Sequence, residues 1–175
     1  MNKDKLKKII AIFFIGAFAG FLYEVIFYFF TEQRLDNAGI LYGPWLPIYG
    51  TGAILISLIP QNIKKHPLLL FCICLLTTGI LEYIIGYITL EYFHQKLWDY
   101  TDLFLNIDGF VCLRSVLTFA IGGLLLVYVV EPFLDKLFQN KRCSKIVSNI
   151  LYILSILFIL DIIISNILDR TPFLY

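Results

Sequence analysis

The chain has 175 residues, of which 59% are hydrophobic, 17% aromatic and only 15% charged, with a mean hydropathy of +0.83. So apolar a composition excludes an ordinary water-soluble domain and places the chain in the membrane class. The net charge of +1 gives no basis for a nucleic-acid partner, because the charges are sorted along the chain and not pooled into a basic face.

Crossing about 30 Å of hydrocarbon at 1.5 Å per residue takes about 20 apolar residues. The first run of that kind, 8–30, follows Lys3, Lys5, Lys7 and Lys8. Its stretch Ala17-Phe18-Ala19 also has the form of a signal-peptidase site. The apolar run continues past that point to Phe30, which favours a membrane helix. Gly16, Gly20, Glu24 and Tyr28 recur every fourth residue and share one helical face. Small residues let neighbouring backbones approach, so that face, with its carboxylate, turns toward the bundle interior. A charge at this depth costs about 2.5–3.5 kcal/mol to insert, which requires a partner or a purpose. After a connector holding Glu32, Arg34 and Asp36, the stretch Leu41-Tyr42-Gly43-Pro44-Trp45-Leu46-Pro47-Ile48-Tyr49-Gly50 opens the second run, 44–62. Pro suits a first helical turn and Gly a tight approach to it. Tyr42, Trp45 and Tyr49 read equally well as site residues or as interfacial aromatics.

Lys64 and Lys65 precede the third run, 67–91, which carries Gly79, Glu82, Tyr83 and Gly86. Glu82 lies as far into its run as Glu24 does, so the two carboxyl groups are expected at one depth, as a paired site or as structural carboxylates. The segment that follows places Glu91, His94, Lys96, Trp98, Asp99, Tyr100, Asp102, Asn106, Asp108 and Arg114 within twenty-four residues. It is the densest polar cluster and the strongest candidate site, the alternative being a solvated connector whose Trp and Tyr mark the interface. His94 and Asp99 with the two glutamates suit acid–base work or cation binding through oxygen ligands, although no spacing specifies either. The fourth run, 111–134, ends at Glu131-Pro132; Lys136, Lys141, Arg142 and Lys145 then lead into the fifth, 146–168. That run holds Asp161, with Ser165 one turn on, as a further member of the polar interior or a dimer contact.

Ten of the fourteen basic residues fall on one side of this arrangement, which the positive-inside rule makes cytoplasmic. The expected fold is therefore an all-α polytopic membrane bundle in the plasma (cytoplasmic) membrane. It has about five transmembrane helices in one membrane domain, 1–175, with the N-terminus cytoplasmic and the C-terminus outside. Sliding the chain on itself suggests a parallel repeat of about 59 residues, with units about 8–62 and 67–134 and an added helix about 146–168. Gly20-Phe21-Leu22-Tyr23-Glu24 matches Gly79-Ile80-Leu81-Glu82-Tyr83, and Leu46-Pro47-Ile48-Tyr49-Gly50 matches Leu105-Asn106-Ile107-Asp108-Gly109. Cys72, Cys74, Cys112 and Cys143 form neither a zinc nor a disulfide framework, and no cofactor or metal is expected. No Gly-rich ATPase loop occurs, so energy coupling would come from a partner.

Several short motifs in order point to one family. They are Leu22-Tyr23-Glu24, Gly43-Pro44 with Pro47-Ile48-Tyr49-Gly50, Leu81-Glu82-Tyr83, and Trp98-Asp99-Tyr100 followed by Asn106, Gly109, Cys112-Leu113 and Ser115. Over about residues 15–132 the chain resembles the bacterial CmpB-like proteins, classed as ABC-transporter type IV permeases. The resemblance departs at Thr101, where members favour Ser, and at Phe110, where they favour Arg. It implies a helical membrane subunit working with a cytoplasmic ATPase. The first functional expectation is thus a permease-like subunit with an outward polar site for a small or lipid-like solute. That site comprises Glu24, Tyr28, Arg34, Tyr42, Pro47, Tyr49, Glu82, Tyr83, His94, Trp98, Asp99, Tyr100, Asn106 and Arg114. Its expected partners are membrane lipid, a second copy in a homodimer and the ATPase. The rival expectations are a membrane-embedded enzyme acting on lipid head groups or envelope precursors, and a non-catalytic assembly or sensing subunit.

Overall fold

The computed structural model describes residues 3–33 and 39–168, and every named element among them is helical. Arg34, Asp36, Asp169 and Arg170 lie outside the described residues. The elements are α1 (Lys3–Glu32), α2 (Pro47–Ser57), α3 (Gln61–Lys64), α4 (Pro67–Phe93), α5 (Leu113–Leu125), a π-helical turn (Leu126–Val130), α6 (Glu131–Gln139) and α7 (Lys141–Ile167). Among the described residues four helical runs are long and apolar enough to cross a membrane: Asp4–Thr31, Pro67–Phe93, Leu113–Gln139 and Lys141–Ile167, with α2 as a shorter apolar helix. The chain is a helical membrane protein.

The second run is where sequence and structure differ most. An apolar stretch of 44–62 yields only the 11 residues of α2, about 16 Å of helix. Proline sets both limits. A residue preceding proline is pushed out of the α region, so Leu46 cannot begin the helix and Pro47 sits in its first turn. Pro60 likewise follows a turn that ends α2 at Ser57, before α3 begins. The last helix starts earlier than its apolar run suggests, because Asn140 caps it. The Asn140 side chain accepts from the amides of Arg142 and Cys143 at 3.0 and 3.2 Å. The π-helical turn ends two residues ahead of Pro132, whose missing N–H and ring cannot be accommodated in a regular α-helix interior.

The chain divides into two compact units, one of residues 1–51 with 131–173 and the other of residues 52–130. In the first, α1 packs on α6 and α7. Phe158 meets Phe13, Phe14 and Trp45 edge-on, and Phe14 also meets Trp45, with ring centroids 5.3–6.3 Å apart. Each such pair is worth about 0.5–1.5 kcal/mol beyond its buried area. Lys8 Nζ reaches Asp135 Oδ1 at 2.6 Å, an exposed pair worth under about 1 kcal/mol.

In the second unit α4 packs on α3 and α5. Its buried face is Leu70, Cys74, Thr78, Glu82 and Gly86, spaced every fourth residue as one helical stripe requires. Buried Lys64 donates from Nζ to the Ser57 carbonyl at 2.9 Å, satisfying an end carbonyl of α2. Cys112 and Ser115 start α5 with a reciprocal cap: Cys112 Sγ accepts from the Ser115 amide and Ser115 Oγ accepts from the Cys112 amide.

Candidate functional site

In the first unit the Gly20–Glu24 face of α1 receives the start of α2. A Cβ on Gly20 would lie 2.1 Å from Tyr49 Cγ, so the Tyr49 ring rests against bare backbone. Its hydroxyl donates to Glu24 Oε1 at 2.5 Å, which gives the half-buried carboxylate a charge-assisted partner. A Cβ on Gly50 would come within 2.8 Å of the Phe13 carbonyl oxygen. Small residues on these two helices therefore set the close approach, as expected of packed membrane helices. Tyr23 lies beside Tyr49 with ring centroids 6.4 Å apart, and Tyr28 meets Phe27 edge-on at 5.8 Å.

The segment ahead of α2 lies deep. The Leu46 amide donates to the Ala17 carbonyl at 3.0 Å, and Ala17 is half-way along the 30-residue α1. Non-helical backbone at the middle of a spanning helix must find partners in protein, because the bilayer core offers none. Asp161 of α7 supplies them. Its Oδ1 accepts from the Tyr42 amide at 3.0 Å and Oδ2 from the Gly43 amide at 2.9 Å. Oδ2 also accepts from Trp45 Nε1 at 2.6 Å, and Ser165 Oγ donates to Oδ1 at 3.2 Å. The Asp161 residue is only 8% exposed.

In the second unit Glu82 is 2% exposed and its Oε2 accepts from Ser115 Oγ at 2.7 Å. The neighbouring Tyr83 hydroxyl donates to Asp108 Oδ2 at 2.9 Å. The polar segment between α4 and α5 bonds mostly to itself. Trp98 Nε1 donates to the Phe110 carbonyl at 2.8 Å, and Asn106 Nδ2 donates to the carbonyls of Thr101 and Leu103 at 2.7 and 3.2 Å. The Tyr100 amide donates to the Gly109 carbonyl at 2.9 Å, and an isolated β-bridge joins Ile107 to Val111. Gly109, at φ +72°, is required there, since a Cβ would also meet Thr101 Oγ1 at 2.7 Å.

Asp99 Oδ1 accepts from the Thr101 amide at 2.9 Å and from its hydroxyl at 2.5 Å, while Lys96 Nζ meets Oδ2 at 2.5 Å. The Lys96 ammonium, then the Thr101 donors, hold the Asp99 carboxyl down at about 2. Arg114 lies over the Tyr100 ring, 5.7 Å from its centroid. His94 caps α4 in a left-handed conformation and is exposed.

The structure thus joins Glu24 with Tyr49, Tyr42 with Asp161, Tyr83 with Asp108 and Tyr100 with Arg114. Trp98, Asp99 and Asn106 are engaged within their own segment. Among the described residues no group of three or more His, Cys, Asp or Glu could hold a metal. Two sets of contacts escaped sequence reasoning: the bond of Ser115 to Glu82, and those of the Tyr42 and Gly43 amides to Asp161.

Residues 11–166 match the model of the family described as "Putative ABC-transporter type IV", the CmpB family. The chain belongs to the CmpB family. It is accordingly a transporter-like membrane protein, and the match extends the resemblance through α7, whose Asp161 holds the segment ahead of α2. Within this CmpB chain Gly43, Tyr49, Glu82, Trp98, Asn106 and Ser115 all make or permit the contacts described above. Neither a curated protein nor a solved structure matches the chain.

Proposed function

We propose that this CmpB-family chain is the membrane-spanning, permease-like subunit of a transport system driven by a separate cytoplasmic ATPase. One observation carries the reading: the Tyr42–Leu46 segment is non-helical at the mid-level of α1 and feeds a half-length helix. Interrupted helices of this kind build solute sites in transporters, because unwound backbone and short helix ends offer polar groups where the membrane otherwise has none. The N-terminus is cytoplasmic in the plasma membrane, and the polar segments before α2 and α5 face outward toward a small or lipid-like solute. Four spanning runs and a half-helix give a thin pathway, so a second copy completes it as a homodimer.

The two-helix repeat belongs to the same proposal. Tyr49 bonds to Glu24 and Tyr83 to Asp108, each pair 25 residues apart. The second pair is displaced from the first by the repeat length, with phenol and carboxyl exchanged. The test is isolation of the chain from native membranes. Recovery of a cytoplasmic ATPase whose turnover depends on the chain supports the reading. Activity of the pure chain on a substrate without any ATPase overturns it.

A membrane-embedded enzyme is favoured by one observation, the buried Glu82–Ser115 hydrogen bond. In that case Glu82→Gln and Ser115→Ala would each abolish turnover of a lipid or envelope precursor while folded protein persists in the membrane.

A further inference from the structure

Four donors of the first unit converge on one carboxylate, and that carboxylate is an unusual choice for a permanent latch. A neutral acceptor such as an asparagine side chain would tie up these N–H groups without a charge, whereas an aspartate in an apolar helix is costly to insert. The surroundings are built for an anion. Two successive backbone amides, Tyr42 and Gly43, and the Trp45 indole N–H form a concave set of donors. Gly43 makes that concavity available: a Cβ there would meet Trp45 Cζ2 at 2.3 Å, so only glycine lets the indole fold across its amide. Among the described residues no cationic side chain pairs with Asp161, and neutral donors alone meet its charge.

The carboxylate is held bidentately, Oδ1 on Tyr42 and Oδ2 on Gly43 and Trp45. This two-oxygen face is also what a solute carboxylate or a phosphate presents. Ser165 belongs to α7 and not to the cradle, so its hydroxyl moves with Asp161 and stays bonded to it if α7 withdraws. We propose that the Tyr42–Trp45 cradle is a binding site for the oxyanion of a carboxylate or phosphate ligand, and that Asp161 is its resident, displaceable occupant. The inference deepens the transport reading by naming the charged group of the solute. Its test measures binding alone, so it can fail while the ATPase-coupled reading stands, and the reverse.

The full chain labelled with 15N-tryptophan and held in maltoside micelles gives two indole N–H resonances, from Trp45 and Trp98. The Trp45 signal is identified by its loss in Trp45→Phe. Inorganic phosphate, acetate, dioctanoyl phosphatidylglycerol and dioctanoyl phosphatidylcholine are titrated in turn, with chloride at matched ionic strength as control. The proposal predicts a saturable shift of the Trp45 signal with at least one of the anions in the wild-type chain. It also predicts saturation at a concentration at least about ten-fold lower in Asp161→Ala, where the competing carboxylate is gone. A response to phosphate or acetate identifies a free anion, and a response confined to phosphatidylglycerol identifies a headgroup. No saturable Trp45 shift in the wild type overturns the proposal whether or not Asp161→Ala folds, and so do equal affinities in the two chains.

Discussion

In the segment ahead of α2, the amides of Tyr42 and Gly43 and the indole of Trp45 bond to a side chain 116–119 residues further along the chain. The segment ahead of α5 closes on itself instead: Trp98, Asp99 and Asn106 bond to groups no more than twelve residues away. Both solve the same problem, satisfying non-helical backbone beside apolar helices. The second can form wherever its own residues fold. The first exists only when α7 has packed against α1, so its geometry depends on a single intramembrane carboxylate. The sparser segment is therefore the more sensitive of the two, and the polar-rich one is largely its own scaffold.

That contrast breaks most visibly at Asp161. Asp161→Ala removes the acceptor shared by three part-buried donors, each such loss worth about 1–3 kcal/mol. The expected loss is about 3 kcal/mol or more, read as a lower thermal midpoint of the purified chain, with the Trp98 environment unchanged. A smaller but still clear effect is expected of Gly20→Ala, whose methyl would enter the Tyr49 ring. Overpacking of this kind costs about 1–3 kcal/mol. Gly122→Ala is the internal control: nothing lies within 4 Å of that added carbon, and removing an exposed helical glycine stabilises by about 0.5–1 kcal/mol. Opposite signs for the two changes in one unfolding assay separate close helix packing from helix propensity.

The two phenol–carboxyl bonds sharpen the comparison further. Tyr49→Phe removes the donor to half-buried Glu24 and is expected to cost about 1–2 kcal/mol, whereas Tyr83→Phe, facing exposed Asp108, costs about 0.5 kcal/mol. The smallest effect is acid titration of the second segment. The Asp99 carboxyl is lowered from 3.8 to about 2 by Lys96 and Thr101. Its contribution is therefore complete above about pH 4 and is lost as pH falls through about 2. The Thr101 amide resonance should titrate near pH 2, and Lys96→Ala should move that midpoint upward toward the ordinary aspartate value.

Much of the helical layout was legible in the sequence, because an apolar run of spanning length has few other uses. Glu24, Glu82 and Asp161 also stood out, since a carboxylate in such a run is costly wherever it points. Their partners were not legible. Tyr49 lies 25 residues from Glu24, Ser115 lies 33 from Glu82, and Tyr42 lies 119 from Asp161. Distances of that size are fixed by packing and not by periodicity. The length of α2 was readable in principle, because Leu46 precedes Pro47 and Pro60 closes the far end, yet hydropathy alone runs smoothly through both. The start of α7 was set by hydropathy too late, because the Asn140 cap lies ahead of the apolar run. In the polar segment before α5 the density of donors and acceptors was legible, but not that many of them bond to one another, as a compact irregular loop requires.

The most direct measurement is amide hydrogen exchange of the full chain in lipid nanodiscs, comparing wild type with Asp161→Ala. The account predicts that the Tyr42 and Gly43 amides are protected in the wild type and exchange much faster in the variant, while the Thr101 amide, bonded within its own segment, is unchanged. Rapid exchange of Tyr42 and Gly43 in the wild-type chain, or equal protection in both chains, would contradict it.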